Sequence, residues 1–246
     1  MAQPGWILVF AAFVAAATAC TALPEYAAPK LVAFDEENIP TDGVTYRPLK
    51  RLDFQGWRPP AGFDERMAAV TCAYIEPIID RDALTVHEAV MQDGTRGYHV
   101  TFNNLRFRAF MDRNCSWWNT ANTEEDIEYI LEHEQIHFAL FEVAARQWSA
   151  DPPIQLRIKA GSREAMKDKM REQFAAQMDE KMSVLMEQNR KFDEETSLGY
   201  NIKKQKKWLE KVNAQLEKTP SLFGSGPEEP DQAEAMPSRP DDLGVE

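Results

Sequence analysis

Apolar side chains recur at three- and four-residue spacing between residues 127 and 148, which predicts an amphipathic helix. The stripe consists of Ile127, Ile130, Leu131, Phe138, Phe141, Ala145 and Trp148. Ile136, Leu140 and Val143 lie on the far side of the same helical wheel. We therefore expect other elements to cover this helix nearly all round. Residues 122–126 offer an Asn-Thr cap and first-turn acids for its start.

The region before this helix has the patterns of short strands. Four stretches alternate or are rich in β-branched and aromatic residues, namely 68–75, 85–90, 98–103 and 105–110. Asp93-Gly94, between the second and third stretch, is a hairpin signal. The sequence predicts a small antiparallel sheet.

Two further helices are predicted after the break at Asp151-Pro152-Pro153. Residues 162–192 contain no proline or glycine, and their apolar positions recur at helical spacing as a methionine-rich stripe, which is typical of a helix packed on a core. Residues 201–216 form the second predicted helix, with a lysine-rich face. The fold class is therefore α+β, with a small antiparallel sheet followed by three helices, one of them long.

The two ends of the chain are expected to lie outside this fold. Residues 6–19 form an apolar run too short to span a bilayer but suited to a secretory signal, so we predict a signal peptide over 1–19 and an exported protein. Residues 20–45 are predicted as an irregular N-terminal arm and 46–217 as one domain. Residues 218–246 are acidic and rich in proline, which predicts a disordered tail.

Ala17-Thr18-Ala19-Cys20 resembles the bacterial signal that directs lipidation of a cysteine. We favour Cys20 as a lipid anchor to the bacterial membrane and a periplasmic location. Ordinary cleavage after Ala19 or Ala22 is the alternative, because the position three before Cys20 is Ala17 and no basic residue precedes the apolar run.

Charge and cysteine content narrow the possible partners. The net charge of −12 argues against nucleic acid, whose phosphates are bound by clustered lysines and arginines. With Cys20 set aside, Cys72 and Cys115 are the remaining cysteines. In an exported chain they can form a disulfide, which we favour over two buried thiols.

The candidate chemistry lies on the first helix, in the pentapeptide His133-Glu134-Gln135-Ile136-His137. Side chains four positions apart share a helix face, so His133 and His137 can hold one zinc ion. Glu134 falls within the apolar stripe, where a carboxylate is costly unless it is paired or near a metal. The pattern predicts zinc as cofactor and Glu134 as the general base that activates a zinc-bound water.

Several segments together resemble one bacterial family, the predicted secreted zinc-dependent proteases, a domain of unknown function with an HExxH helix. The matching pieces, in order, are residues 52–56, 68–71, 115–118, 133–138 with Glu142, and 192–199 followed by Gln205 and Trp208. They span roughly residues 47 to 210. The resemblance implies a zincin-like domain over 46–217 that cleaves a peptide or protein substrate.

The chain departs from the family at the expected third metal ligand. Leu198 occupies a position where family members have histidine, and Ile136 and Phe192 replace a glycine and a tyrosine. A catalytic zinc needs three protein ligands. Asp193 matches a family position and is our predicted third ligand, with Glu195 as the substitute. Glu142 lies about 140° around the helix from His137, at 100° per residue, and is expected to orient a neighbouring group instead.

These patterns predict an exported zinc metallopeptidase of the bacterial cell envelope. The alternative is a degenerate family member that has lost catalysis and serves as an envelope lipoprotein interaction module, as Leu198 suggests. A third reading is a purely structural zinc site, which would have a closed coordination shell.

Overall fold

A computed structural model describes residues 43–61, 67–80, 83–121 and 127–219. Its elements are β1 (Gly43–Thr45), β2 (Ala69–Val70), β3 (Ala73–Ile78), β4 (Leu84–Val90), β5 (Arg96–Phe102), β6 (Arg106–Asp112), β7 (Trp117–Trp118), α1 (Ile127–Ala150), β8 (Ile154–Lys159), α2 (Arg163–Thr196) and α3 (Ile202–Lys218). The fold class is α+β, as predicted. The predicted signal peptide with Cys20, most of the N-terminal arm, the helix start at 122–126 and the acidic tail lie outside the described residues.

The strands form three small antiparallel sheets, where the sequence predicted one. Their orders are β1-β6-β3, β2-β7 and β4-β5-β8. The predicted hairpin at Asp93-Gly94 joins β4 to β5, and Gly94 has the positive φ of 77° that its turn requires. The stretch 68–75 is not one strand but two, β2 and β3, which belong to different sheets. Cys72 lies between them and donates its backbone N–H to the Ser116 hydroxyl.

One further expectation about strands was wrong, and one strand was not expected. The predicted irregular arm ends in a strand, since β1 pairs with residues 110–112 of β6. Strand β8 was not predicted at all, although Ile154, Leu156 and Ile158 alternate with polar residues. It is only six residues long and becomes a strand by pairing with residues 97–102 of β5. That pairing could not be read from its own short pattern.

Helix α1 lies at the centre of the domain. One side contacts β6 and β3, and the other contacts α2 and α3. Ile136, Leu140 and Val143, on the far side of the predicted stripe, are buried along with Phe138 and Phe141. The expectation that other elements cover this helix nearly all round is therefore confirmed. Any polar side chain on its buried faces needs a partner or carries a cost.

Helices α2 and α3 close the domain over α1. The Ser162 hydroxyl caps α2 by accepting from Ala165 N, and the helix runs four residues beyond its predicted end. Its predicted apolar stripe is buried, from Met166 through Met182 to Leu185. Helix α3 starts at the predicted position, capped by Asn201. Among the described residues, no helix combines the length and hydropathy needed to cross a membrane.

Two covalent or ionic connections hold the sheet region together. Cys72 and Cys115 form a disulfide with a Cα–Cα distance of 5.7 Å. Asp53 is almost fully buried and accepts two hydrogen bonds from the Arg47 guanidinium, at 2.7 and 2.9 Å.

A hydrogen bond also attaches α1 to this region. Gln135, inside the HExxH pentapeptide, accepts from Leu49 N at 2.7 Å. The face of α1 opposite the histidines is thereby attached to the segment that follows β1.

Candidate metal centre

Three donor atoms converge between α1 and α2. His133 and His137 come from successive turns of α1, and Asp193 comes from the last turn of α2. Asp193 Oδ1 lies 3.2 Å from His133 Nε2 and 2.9 Å from His137 Nε2, and the two Nε2 atoms are 3.2 Å apart. These residues form a group that could hold a metal ion.

The three distances test whether the group suits a tetrahedral ion. Ligand bonds of about 2.0–2.1 Å to zinc place any two ligand atoms of a tetrahedron about 3.3–3.4 Å apart. The observed separations of 2.9 to 3.2 Å are slightly shorter. An ion would therefore require the donors to move outward by only a few tenths of an ångström. Within the described residues, no fourth His, Cys, Asp or Glu joins the group.

The hydrogen-bond partners of the two Nδ1 atoms determine which ring nitrogens face this centre. His137 Nδ1 lies 2.8 Å from Asn189 Oδ1, and the Asn189 amide donates to the Leu185 carbonyl at 2.9 Å. The Asn189 oxygen must therefore face the imidazole as an acceptor. This keeps a proton on His137 Nδ1 and leaves the Nε2 lone pair directed at the centre.

His133 is held in the same way from α3. Its Nδ1 lies 3.2 Å from Gln205 Oε1, while Gln205 Nε2 donates to the Tyr129 carbonyl and to the Glu132 carboxylate. With both donor hydrogens so used, the Gln205 oxygen is the atom that accepts from His133. Both imidazoles thus carry hydrogen on Nδ1 and present Nε2 to the same point.

Three lone pairs facing one point require a positive charge between them. Burial lowers the pKa of His137, but the charge and hydrogen bond of Asp193, with smaller contributions from Glu134 and Asn189, raise it to about 9. Burial likewise raises the pKa of Asp193, yet His137 and the two imidazole hydrogen bonds hold it well below its usual range. The proton on His137 thus supplies the charge that a bound cation would otherwise supply.

Glu134 is the buried acid of the group. It is 4% exposed, and its Oε2 has no hydrogen-bond partner among the described residues. A buried carboxylate oxygen without a partner costs free energy. Glu134 lies close enough for its charge to help raise the pKa of His137. Glu134 is therefore the candidate proton acceptor at this centre.

An aromatic wall backs the two imidazoles. The Phe192 ring is fully buried and stacks on His133 with ring centroids 4.5 Å apart, and it meets His137 edge to face at 4.8 Å. Trp208 of α3 supports Phe192 from behind at 5.5 Å. Large apolar rings fix both imidazole planes and lower the local dielectric, which strengthens charge interactions at the centre.

The other acids considered from the sequence are engaged elsewhere. Glu195, the substitute ligand, accepts from Trp208 Nε1 at 3.0 Å and does not belong to the group. Glu142 pairs with Arg146 at 2.8 Å, and so it orients a neighbouring group as expected. Leu198 is 52% exposed in the connection between α2 and α3. The three donors meet without any contribution from position 198.

The sequence reasoning missed Asn189 and assigned no role to Gln205. Both carried a readable signal, because each is a polar residue within an apolar helical stripe. Asn189 stands between Leu185 and Phe192, and Gln205 stands one turn before Trp208. Polar residues at such positions are 5% and 0% exposed here, and buried amides are nearly always hydrogen-bonded.

Comparison of the chain with protein-family models, with curated proteins and with solved structures finds no match. The family resemblance seen in the sequence therefore stays a prediction, and the functional argument rests on the geometry of the site.

Proposed function

We propose that this protein is an exported zinc-dependent metallopeptidase of the bacterial cell envelope. His133, His137 and Asp193 would hold the ion, and Glu134 would serve as general base. The observation that carries the proposal is the convergence of three donor atoms, 2.9 to 3.2 Å apart, beside a buried and unpartnered carboxylate oxygen.

The donor set favours a catalytic centre over a closed structural one. Two imidazoles and one carboxylate are three protein ligands, which leave one tetrahedral position open. When bound, zinc would supply a Lewis acid that polarises a carbonyl group and lowers the pKa of water. A structural site would instead have four protein ligands, and the described part of the chain offers three here.

Glu134 supplies the proton transfer. Its free Oε2 would accept a proton from the attacking water and then donate that proton to the leaving amine. Phe192 and Trp208 would exclude bulk water from one side of the reacting group.

The test is metal content followed by hydrolysis. Purified protein should contain one equivalent of zinc by elemental analysis. Asp193→Asn should lose zinc affinity, whereas Glu194→Gln, an exposed neighbour on the same turn, should keep it. Glu134→Gln should retain zinc but lose at least about a hundredfold in cleavage of a peptide library, the usual contribution of a general base.

Two results would overturn the proposal. Zinc-free protein that also fails to take up added zinc would exclude the metal centre. Wild-type cleavage rates in Glu134→Gln would exclude the catalytic role of that acid. Iron in place of zinc would point to a different chemistry, because two histidines and one carboxylate also bind ferrous iron.

The degenerate interaction module remains the second candidate. It predicts no hydrolysis of any peptide in the library, and a marked gain of zinc affinity in Leu198→His, which would mean that the natural site is incomplete. Export and anchoring are proposed from residues 1–20 alone. Mass analysis of the mature N-terminus tests them, since the wild type should carry a lipid on Cys20 and Cys20→Ser should carry none.

A further inference from the structure

We infer that the corner joining α2 to α3 is a docking surface for an anionic lipid bilayer. This surface, called here the α3 corner, comprises three exposed apolar residues in or beside the connection and four lysines in the first two turns of α3. The inference does not depend on the bound metal or on catalysis.

The apolar part of the α3 corner is an unusual concentration of exposed hydrophobic side chains. Leu198, Tyr200 and Ile202 are 52%, 81% and 54% exposed. They account for three of the seven large hydrophobic side chains that are exposed within the described residues, and they fall within five positions of sequence. Grouped exposed hydrophobics mark contact surfaces, whereas scattered ones need no explanation.

The basic part of the α3 corner is a cluster of four positive charges on a protein with a net charge of −12. Lys203, Lys204, Lys206 and Lys207 are exposed, and none of them forms an ion pair with another described residue. The first turn of α3 contains no acid. Four cations at a helix N-terminus oppose the helix dipole, so local stability does not account for them.

The backbone holds this corner in a fixed and costly shape. Ser197 and Leu198 have φ angles of 53° and 55°, a left-handed conformation that is unfavourable for residues other than glycine. Asn201 N donates to the Thr196 carbonyl at 2.7 Å, and the Asn201 side chain caps α3. The exposed side chains therefore project from a hydrogen-bonded turn, and Leu198 stays exposed at a conformational cost.

A bilayer surface satisfies both parts of the α3 corner together. Apolar side chains insert at the boundary of the head groups and acyl chains, while adjacent lysines attract anionic head groups. An acidic peptide would pair with the lysines and leave the three apolar side chains in water. Because the three apolar side chains are followed directly by the four lysines within ten positions, we assign the lipid surface as the partner.

Docking at this corner would place the metal-binding group close to the membrane. A Cβ atom on Gly199, the middle residue of the connection, would lie 3.5 Å from His133 Nδ1. Leu198 N donates to the Asp193 carbonyl at 2.8 Å. The candidate substrates are then proteins or peptides at the membrane surface.

The experiment measures vesicle binding of the full chain carrying Cys20→Ser, so that lipidation cannot contribute. The measured quantity is the ratio of two binding constants. The first is for vesicles of equal parts phosphatidylcholine and phosphatidylglycerol, and the second is for vesicles of phosphatidylcholine alone. The chain has no lysine or arginine before Lys30, so the N-terminal apolar run does not affect this ratio.

Replacing the four corner lysines by glutamine should lower the ratio on the order of 600-fold, since each basic residue near an anionic surface contributes about a fivefold factor. The matched control replaces four lysines of α2, Lys167, Lys169, Lys181 and Lys191, and should leave the ratio within about twofold.

A second measurement tests the apolar part. Trp introduced by Tyr200→Trp should be quenched by lipids brominated near the head group, whereas Trp introduced by Val184→Trp, an exposed position on α2, should not. An unchanged ratio in the lysine variant, or no quenching at position 200, would overturn the inference. Lysine-dependent binding of an acidic peptide without vesicle binding would instead assign the corner to a peptide.

Zinc content measured on the same preparations separates this result from the proposed function. Failure of the Cys20→Ser chain to bind anionic vesicles, with full zinc content, would reject only the docking surface, and absence of zinc with normal vesicle binding would reject only the metal centre.

Discussion

Asn189 offers the sharpest test of how this centre is organised, because it touches the metal-binding group without belonging to it. Its Oδ1 lies 2.8 Å from His137 Nδ1 and its side chain is 5% exposed. Leucine has a similar volume but cannot accept a hydrogen bond. In Asn189→Leu, His137 loses the partner that keeps its hydrogen on Nδ1, and the tautomer with hydrogen on Nε2 becomes accessible.

The expected effect is on metal affinity. Partners that orient a ligating histidine typically contribute 10- to 100-fold, or about 1.4–2.7 kcal/mol of binding free energy. Asn189→Leu should therefore weaken zinc binding by that factor in competition with a chromophoric chelator. Asn189→Asp should bind zinc at least as tightly as wild type, because a carboxylate accepts the Nδ1 hydrogen more strongly.

Asn213→Leu is the matched control, since Asn213 is an exposed residue on α3. It should leave zinc affinity unchanged. Nitrogen chemical shifts of the imidazoles would report the tautomer directly and separate orientation from simple loss of packing. Wild-type zinc affinity in Asn189→Leu, or equal losses in the Leu and Asp variants, would refute the reasoning.

Three further predictions concern stability. The pKa of His137 is about 9 in the folded protein and 6.5 ordinarily, so the protonated imidazole stabilises the folded state below pH 6.5 and this contribution is lost as pH rises to 9. Urea denaturation of the metal-free protein should show a loss on the order of 3 kcal/mol of unfolding free energy over that range. A flat profile would contradict this. Replacing Cys72 and Cys115 together by alanine should cost about 4 kcal/mol, because the disulfide closes a separation of 43 residues, and reduction of the wild type should match it in thermal melts. Asp53→Asn should cost about 2–3 kcal/mol, because it removes the buried carboxylate that pairs with the partly exposed Arg47 guanidinium. Asp93→Asn, at an exposed ion pair, should leave the unfolding free energy nearly unchanged.

Much of the fold could be predicted because its elements have strong local patterns. The long stripe from Met166 to Leu185 and the hairpin signal at Asp93-Gly94 carry their own period and turn chemistry, and both were predicted correctly. Strand β1 was missed because three residues specify little on their own, and β8 was missed although its apolar residues alternate with polar ones. Partner strands β6 and β5 made them strands.

The sequence by itself determined the first half of the candidate site. Helical period places His133 and His137 on one face, and the surrounding apolar residues require that this face be buried with Glu134 beside it. Those conclusions need only local geometry.

Only the tertiary structure determined which other residues complete the candidate site. Asp193 lies 60 residues beyond His133 in sequence, and its approach depends on how α2 packs across α1. The packing of α2 and α3 on α1 also brings Asn189 and Gln205 to the two imidazoles and leaves Leu198 and Glu195 outside the group. A helix period relates residues within one helix, whereas the register between two helices is set by the shapes of the side chains at their interface.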